Sequence, residues 1–201
     1  MKNQDKIFRF LNKAGDLRST IRYITLKDGR KESSAEHSWR LVLMVMIMGK
    51  GMKINTDKAM KIALVHDMAE AVTGDINYDK VASGEISKKE KQRMEEKAMK
   101  EILSPLDLKN KKEIYNLWKE YENSPTREAK LVKALDKLET LLSLAESGHK
   151  TYLGHPEFIP NYADQAVNNF PELKSMLKEI KLKIKKEFKK GKIPWKKEYN
   201  N

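Results

Sequence analysis

Apolar residues recur at helical spacing along almost the whole of this 201-residue chain. The clearest case follows Ser124-Pro125, where the proline suits the first position of a helix. Residues 124–146 then carry one apolar stripe, formed by Leu131, Leu135, Leu138, Leu142 and Ala145. Such a stripe is typical of a helix that places one face in a hydrophobic core. The alternation expected of a strand is not found, so the sequence predicts an all-α fold, a single compact helical bundle.

Caps and breaks divide the chain into separate helices. Gly49 suits the end of the second helix, and Thr56 suits the start of the third. Ser87 followed by Glu90 resembles a capping box. Helices are predicted over residues 6–12, 34–48, 56–71, 87–103, 111–122, 124–146, 161–169 and 171–189, with residues 14–33 as an ordered connection. Because no linker or repeat interrupts them, we expect one domain over residues 1–190 and a loose tail over residues 191–201.

The composition excludes several classes of protein. Hydrophobic residues make up 39% of the chain and charged residues 35%, a balance typical of a soluble globular domain. There are no cysteines, so any metal must be bound by imidazole and carboxylate rather than by thiolate. The longest apolar run, residues 41–48, is far shorter than the roughly 20 residues that span a bilayer. Since the N-terminus lacks a secretory signal pattern, we expect a cytoplasmic protein with no membrane partner.

The formal net charge of +12 leaves two interpretations open. It could serve an anionic partner, either a nucleotide or a nucleic acid, or it could be a lysine-rich surface spread over helices. Most of the excess lies in residues 174–197. Binding of single-stranded nucleic acid uses aromatic side chains between the cations, and this stretch and its end offer only Phe188, Trp195 and Tyr199. The lysine-rich surface is therefore favoured, and a nucleic-acid partner is not expected.

Four polar residues stand beside or within strongly apolar segments. His37 lies at the start of the most hydrophobic predicted helix, His66-Asp67 directly follows an apolar run, and Asp136 lies beside the stripe of residues 124–146. Taken singly, each histidine could be a satisfied core residue and each aspartate a surface charge. Burying all of them without partners is costly, and one shared divalent cation would satisfy the whole set.

Two imidazoles and two carboxylates form a borderline-to-hard set of ligands. Such a set suits Mn²⁺, Co²⁺, Fe²⁺, Ni²⁺ or Zn²⁺ and leaves positions for water and substrate. A metal-bound water becomes a nucleophile near neutral pH. Adjacent helix residues point about 100° apart, so His66 and Asp67 can share an ion only at the edge of their helix.

Three runs of sequence around these residues resemble a known family. ESSAEHSWR contains His37, LVHDMAEAVTGD contains His66-Asp67, and LVKALDKLE contains Asp136. In order and spacing they are similar to the H…HD…D pattern of the HD-domain superfamily, and they look like its 5′-deoxynucleotidases. The second motif of that family reads close to HDxxExxxGD, and the matching residues are His66, Asp67, Glu70, Gly74 and Asp75. The resemblance covers roughly residues 5–146.

The resemblance implies a helical phosphatase, usually a homodimer, that removes the 5′-phosphate from nucleoside monophosphates and prefers the deoxy forms. It assigns the metal ligands as His37, His66, Asp67 and Asp136, and the proton-handling carboxylates as Glu70 and Asp75. One metal ion is expected, since the chain offers no additional histidine near the second motif for a binuclear site.

The spacing of the two carboxylates agrees with these roles. Glu70 lies four residues after His66, hence on the same face of the predicted helix, where it can orient an attacking water. Asp75 lies just past the helix end and can protonate a leaving 5′-oxygen. Which of the two acts as acid and which as base is left open.

Arg22 is the candidate phosphate clamp. The family carries an arginine about fifteen residues before the first histidine, and a guanidinium fork suits a terminal phosphate. Arg18 could serve instead, and a solvated loop cation is the alternative for Arg22. Family members often follow this arginine with a tryptophan that packs on the sugar, whereas this chain has Tyr23. Glu32 also fits the family pattern and could position Arg22.

Other functions are also compatible with the sequence. The superfamily includes phosphodiesterases and hydrolases of other phosphorylated metabolites. A basic nucleic-acid-binding protein with a structural metal site is the alternative from outside the enzymes. His149 and His155 lie in a loop rich in glycine and proline, where surface histidines are more common than site residues.

Overall fold

The computed structural model describes residues 3–76, 85–152 and 156–200, and it confirms the helical fold. His155 lies outside the described residues. The elements in chain order are α1 (Asn3–Gly15), β1 (Ile21–Thr25), β2 (Lys31–Ser33), α2 (Ser34–Met48), α3 (Thr56–Val65), α4 (Glu70–Thr73), α5 (Lys88–Leu103), α6 (Leu108–Asn123), α7 (Arg127–Ser147), α8 (Asp164–Val167) and α9 (Lys174–Lys190). Among the described residues, none of these helices combines the length and apolar character that crossing a membrane requires.

Helix α7 forms the centre of the bundle. It packs against α2, α3, α6, α9 and β1, so its apolar stripe is enclosed on several sides. Leu131, Leu135 and Leu138 are fully buried. Thr126 caps the helix by accepting a hydrogen bond from the backbone N–H of Ala129. Polar residues midway along α7 therefore face the interior of the protein.

The prediction of no strands was wrong for part of residues 14–33. Strands β1 and β2 form an antiparallel hairpin in which Ile21 pairs with Ser33 and Thr25 pairs with Lys31. Along β1 the buried positions are Arg22 and Ile24. The alternation was hidden because one of the two inward positions holds a charged residue rather than an apolar one.

The start of α2 agrees with the prediction, and its cap is well defined. The Ser33 hydroxyl accepts from the backbone N–H of Glu36, and the Glu36 carboxylate accepts from the backbone N–H of Ser33. This capping box fixes the first turn of the helix. His37 lies at the end of this first turn, so the cap also fixes where its imidazole enters the core.

The third predicted helix is divided in two. Asn55 rather than Thr56 is its cap, since the Asn55 side chain accepts from the backbone N–H of Lys58. Helix α3 ends at Val65, and residues 66–69 form turns before α4 begins. Hydrogen bonds from Met68 N to Val65 O and from Glu70 N to Asp67 O close these turns. His66, with φ of −58° and ψ of −43°, caps the end of α3, and His66 and Asp67 therefore lie at the edge of this helix.

The C-terminal segment differs from the expected loose tail. Trp195 packs edge-on against Phe188 of α9, with ring centroids 5.5 Å apart, and Tyr199 is only 3% exposed. The aromatic side chains supply apolar area whose burial offsets the entropy cost of ordering this segment. The other helices lie within three residues of their predicted bounds.

Candidate metal centre

Three segments bring the four predicted ligands together. His37 comes from the first turns of α2, His66-Asp67 from the turn after α3, and Asp136 from the middle of α7. Nε2 of His66 lies 3.1 Å from Oδ2 of Asp67. Nε2 of His37 lies 3.1 Å from Oδ1 of Asp136 and 3.8 Å from Oδ2 of Asp67. The ligand atoms of His37, His66 and Asp67 all lie within 4.8 Å of one another, and Asp136 joins this cluster through its contact with His37.

Each imidazole is oriented by a hydrogen bond from Nδ1, the ring nitrogen that faces away from this cluster. Nδ1 of His37 lies 2.5 Å from Oε2 of Glu139, and Nδ1 of His66 lies 2.8 Å from the Ala63 carbonyl oxygen. Each Nδ1–H donates, which leaves the lone pair of Nε2 directed into the cluster. Both Nε2 atoms are buried and have no hydrogen-bond partner within residues 3–76, 85–152 and 156–200. Such paired, unsatisfied nitrogens fit a divalent metal ion.

The charges in the cluster also favour a cation. Burial and Arg22 lower the pKa of His37, but the adjacent carboxylates of Asp136 and Glu139 outweigh them and raise it to about 10. Burial opposes ionisation of Asp136, yet its close contact with His37 holds its pKa below the usual range. The carboxylates therefore retain a proton on His37 when no other cation is near.

Tyr121 supports the site from α6. Its hydroxyl donates to Oδ2 of Asp136 at 2.7 Å, and its ring meets the ring of His66 edge-on at 5.0 Å. The carboxylate of Asp136 is thereby oriented so that Oδ1 faces His37. The helical pattern of residues 111–122 gives no sign of this role for Tyr121.

Arg22 is buried at the floor of the cavity rather than solvated. Its side chain projects inward from β1, and Nε lies 3.3 Å from Oε2 of Glu32. Nη1 lies 3.6 Å from Oδ2 of Asp67, and Nη2 donates to Oγ1 of Thr140 at 3.1 Å. Burial lowers the pKa of Arg22, but Asp67 and Asp75 outweigh this and raise it. Arg22 therefore remains a cation beside the cluster.

The other two residues predicted to bind substrate lie farther out. Tyr23 lines the cavity and is 37% exposed. Arg18 lies outside this cavity, where its exposed Nε donates to the Gly15 carbonyl at 2.9 Å. His149 pairs with Glu187 at 3.3 Å and is not among the lining residues.

Glu70 and Asp75 both line the cavity. Glu70 begins α4, and its Oε2 accepts from the Ser34 hydroxyl at 2.7 Å. Burial, followed by the charges of Asp67 and Asp75, raises the pKa of Glu70 to about 9. Asp75 follows Gly74, whose φ of 72° suits glycine, and burial raises its pKa as well. With a pKa of about 9, Glu70 can hold a proton near neutral pH, as general acids do.

The cavity has a volume of about 560 Å³, within the range of small-molecule sites. Its lining includes His66, Asp67 and Asp136 together with other charged groups. It also includes aromatic and aliphatic side chains, namely Leu141, Leu144, Tyr152, Phe158, Ile159 and Tyr162. A ligand with an anionic part and a flat apolar part would match both kinds of lining residue.

Some residues of the site were not found from the sequence. Glu139 is fully buried and lies three residues after Asp136, hence on the same face of α7. That spacing is the sequence feature that could have indicated Glu139. The contributions of Lys91 and Glu95 from α5 had no such signal, because the pattern of that helix reads as a solvated charged face.

A helical bundle in which an imidazole, a His-Asp pair and a distant aspartate meet beside a cavity is typical of the HD-domain proteins. The sequence profile of the HD domain family matches residues 14–177, and the chain belongs to this family.

The chain is also similar to named proteins and to a solved structure over most of its length. A 5′-deoxynucleotidase of Homo sapiens is 35% identical over 178 residues, which cover 87% of this chain and 84% of that protein. A 5′-deoxynucleotidase of Schizosaccharomyces pombe is 39% identical over 150 residues, covering 72% and 73%. The crystal structure of a predicted metal-dependent phosphohydrolase from Magnetospirillum magnetotacticum matches with a TM-score of 0.76 at 23% identity, covering 96% of this chain and 99% of that one. This last similarity establishes the shared fold.

Proposed function

We propose that this protein is a metal-dependent phosphomonoesterase that removes the 5′-phosphate from deoxynucleoside monophosphates. The observation that carries the proposal is the convergence of two buried, unsatisfied Nε2 atoms with the carboxylates of Asp67 and Asp136. This cluster opens into a cavity that also contains Arg22 and Glu70. Similarity to proteins named 5′-deoxynucleotidases supports the choice of substrate.

The ligands of the metal would be His37, His66, Asp67 and Asp136, and the ion would be Mn²⁺, Co²⁺, Fe²⁺, Ni²⁺ or Zn²⁺. When bound, it would supply a water activated for attack near neutral pH. We propose a single ion. Among the described residues, the other grouping suited to a metal is Glu32, His37 and Glu139, and it reuses His37.

Side chains of the protein would transfer protons and bind the phosphate and the nucleoside. In the hydrolysis, water oxygen bonds to phosphorus, the bond from phosphorus to the 5′-oxygen breaks, and the 5′-oxygen gains a proton. Glu70 and Asp75 are the carboxyl groups that can take and give these protons. Arg22 contributes positive charge at the phosphate. The aromatic and aliphatic lining residues of the cavity would receive the nucleoside, and Tyr23, which also lines the cavity, would pack on the sugar.

The test is a screen for phosphate release with each of several divalent metals. We expect release from dAMP and other deoxynucleoside monophosphates, with slower release from AMP. Preferential hydrolysis of cyclic nucleotides or dinucleotides would instead establish a phosphodiesterase. Oligonucleotide binding with a steep salt dependence and no turnover would establish the nucleic-acid-binding alternative.

We further propose that the protein is a homodimer. Trp39 and Ile47 on α2 are 64% and 69% exposed, and such side chains favour burial against a second copy. Light scattering on the purified protein would decide this, since a monomer at micromolar concentration would exclude the proposal. The cytoplasmic location stays a prediction of the sequence.

A further inference from the structure

Helix α5 contributes a charged pair to the cavity that the H…HD…D pattern does not include. Lys91 and Glu95 line the same cavity as Arg22 and Asp67. The Lys91 ammonium donates to Oε1 of Glu95, one helical turn away. The Glu95 side chain is 7% exposed and that of Lys91 is 30% exposed. The pair therefore lies at the wall of the cavity rather than in open solvent.

Placing this pair at the cavity wall costs free energy. The cost of removing a carboxylate and an ammonium from water can exceed the gain from their attraction, so stability alone does not account for the pair. Burial raises the pKa of Glu95, and Lys91 opposes that rise. Burial lowers the pKa of Lys91, but Glu95 outweighs this and raises it, so Lys91 stays charged at neutral pH. The adjacent Glu96 forms an ion pair with Lys119 outside the cavity.

Lys91 also lies within electrostatic reach of the proton-handling carboxyls. Burial raises the pKa of Asp75, and the charge of Lys91 opposes that rise. The charge of Glu70 in turn helps to raise the pKa of Lys91. Carboxylates outnumber cationic side chains in the lining of the cavity. A phosphate dianion entering there needs cationic donors to offset this repulsion.

Arg22 alone provides few of these donors. Its guanidinium is already engaged with Glu32, Asp67 and Thr140. The ammonium of Lys91 has three N–H donors, and within the described part of the chain Glu95 alone accepts from it. The remaining donors are available at the cavity wall.

We propose that Lys91, held by Glu95, is a second phosphate-binding cation of this cavity. Lys91 donates to the oxygens of the substrate phosphate, and Glu95 is a positioning residue that keeps the flexible ammonium at the wall. The inference rests on the proposed phosphohydrolase function. It assigns phosphate recognition to α5 as well as to β1.

The experiment compares the full-length, metal-loaded protein with its Lys91→Gln variant. We expect the KM for dAMP and the inhibition constant of inorganic phosphate to rise about 10- to 100-fold, the usual effect of losing a hydrogen bond to a charged group. Metal content should stay unchanged, because Lys91 is not a ligand. Lys91→Arg should recover much of the phosphate inhibition, as it keeps the charge.

Lys119→Gln is the matched control. It breaks the ion pair with Glu96, outside the cavity, and should leave both constants as in the wild type. Glu95→Gln should weaken phosphate inhibition less than Lys91→Gln, since the ammonium remains but its anchor is weaker. If Lys91→Gln fails to fold, the double variant with Glu95→Gln removes both charges and leaves no unpaired carboxylate.

Wild-type inhibition by phosphate in a folded Lys91→Gln variant would overturn the inference. If the proposed function is wrong, the wild-type protein will instead release no phosphate from any monoester. In that case, calorimetry of inorganic phosphate binding to the metal-loaded protein would still test whether Lys91 binds phosphate. Equal binding by wild type and variant would then exclude its role.

Discussion

The protonation state of each side chain in the cluster depends on its immediate neighbours. His37 and His66 both direct Nε2 into the cluster because Glu139 and the Ala63 carbonyl accept from Nδ1. The same carboxylates that suit a metal ion retain a proton on His37 in its absence. Three substitutions at this scale separate metal binding from catalysis.

Asp67→Ala should abolish both metal content and activity. Asp67 lies between the two imidazoles, and without it the cluster loses a shared anionic ligand. Metal analysis of the purified variant and a phosphate-release assay measure the two effects. Asp5→Ala, at an exposed position in α1, is the control. Activity retained without bound metal would contradict the proposed chemistry.

Glu70→Gln should keep the metal but lose at least about 10²-fold in turnover, the typical contribution of a general acid or base. The introduced amide would still accept from the Ser34 hydroxyl but could not exchange a proton. Metal content and kcat for dAMP check this. Glu113→Gln, which alters an exposed ion pair with Lys61, should have no effect on either. An unchanged kcat would remove Glu70 from the mechanism.

Glu139→Gln should weaken metal binding about 10- to 100-fold, as is usual for partners of a ligating histidine. The neutral amide holds His37 less strongly and no longer favours a single orientation of the ring. Titration with Mn²⁺ or Co²⁺ measures the affinity without reference to turnover. Glu146→Gln, on the outer part of α7, is the matched control. Equal affinities for the two variants would show that Glu139 is only structural.

At the scale of elements, caps and turns decide where the ligands lie. The capping box at Ser33 fixes the start of α2, and helix α3 ends at Val65, directly before His66 and Asp67. His66 keeps helical backbone angles, so these two adjacent side chains still point about 100° apart. The pair can therefore share one ion only at the edge of the helix.

Ser33→Ala should lower the free energy of unfolding by about 0.5–2 kcal/mol and also weaken metal binding. The lost cap loosens the first turn of α2, which carries His37. Ser87→Ala is the matched control, because the Ser87 hydroxyl likewise accepts from a backbone N–H, that of Glu90, at the start of α5. Thermal unfolding and metal titration should show similar destabilisation in both variants but weaker metal binding only in Ser33→Ala. Equal metal affinities would mean that the cap does not position His37.

For the whole molecule, the buried cluster links stability to pH. The pKa of His37 is raised from 6.5 to about 10, and that of Glu70 from 4.5 to about 9. Between about pH 6.5 and 9 the native protein therefore holds protons that the unfolded chain has released. Stability gained from these protons is lost as the pH rises through this window.

The melting temperature of the metal-free protein should accordingly fall between pH 6.5 and 9. Added Mn²⁺ should raise it and reduce the decline, because the ion replaces the proton on His37. Calorimetry with and without metal measures both effects. The Asp67→Ala variant is the control, since metal should not stabilise it. A melting temperature of the metal-free protein that rises across this range would contradict the assigned pKa shifts.

The sequence by itself determined the helical fold, because helix-period stripes such as that of residues 124–146 can be buried only by packing helices together. It also singled out His37, His66, Asp67 and Asp136, since polar groups beside apolar stripes need partners. Their metal-binding role is still a proposal. The sequence likewise indicated three residues that line the cavity, namely Glu70, Asp75 and Arg22.

Only the tertiary structure decided which further residues complete the site. Lys91 and Glu95 resemble the rest of a charged helix, and their burial depends on where α5 lies against the bundle. The short strand around Arg22 and the turn at His66 were also hidden, because they depend on contacts with distant parts of the chain. Local patterns specify which face of an element is apolar. The side chains that share one cavity are fixed by packing between elements, which no local pattern records.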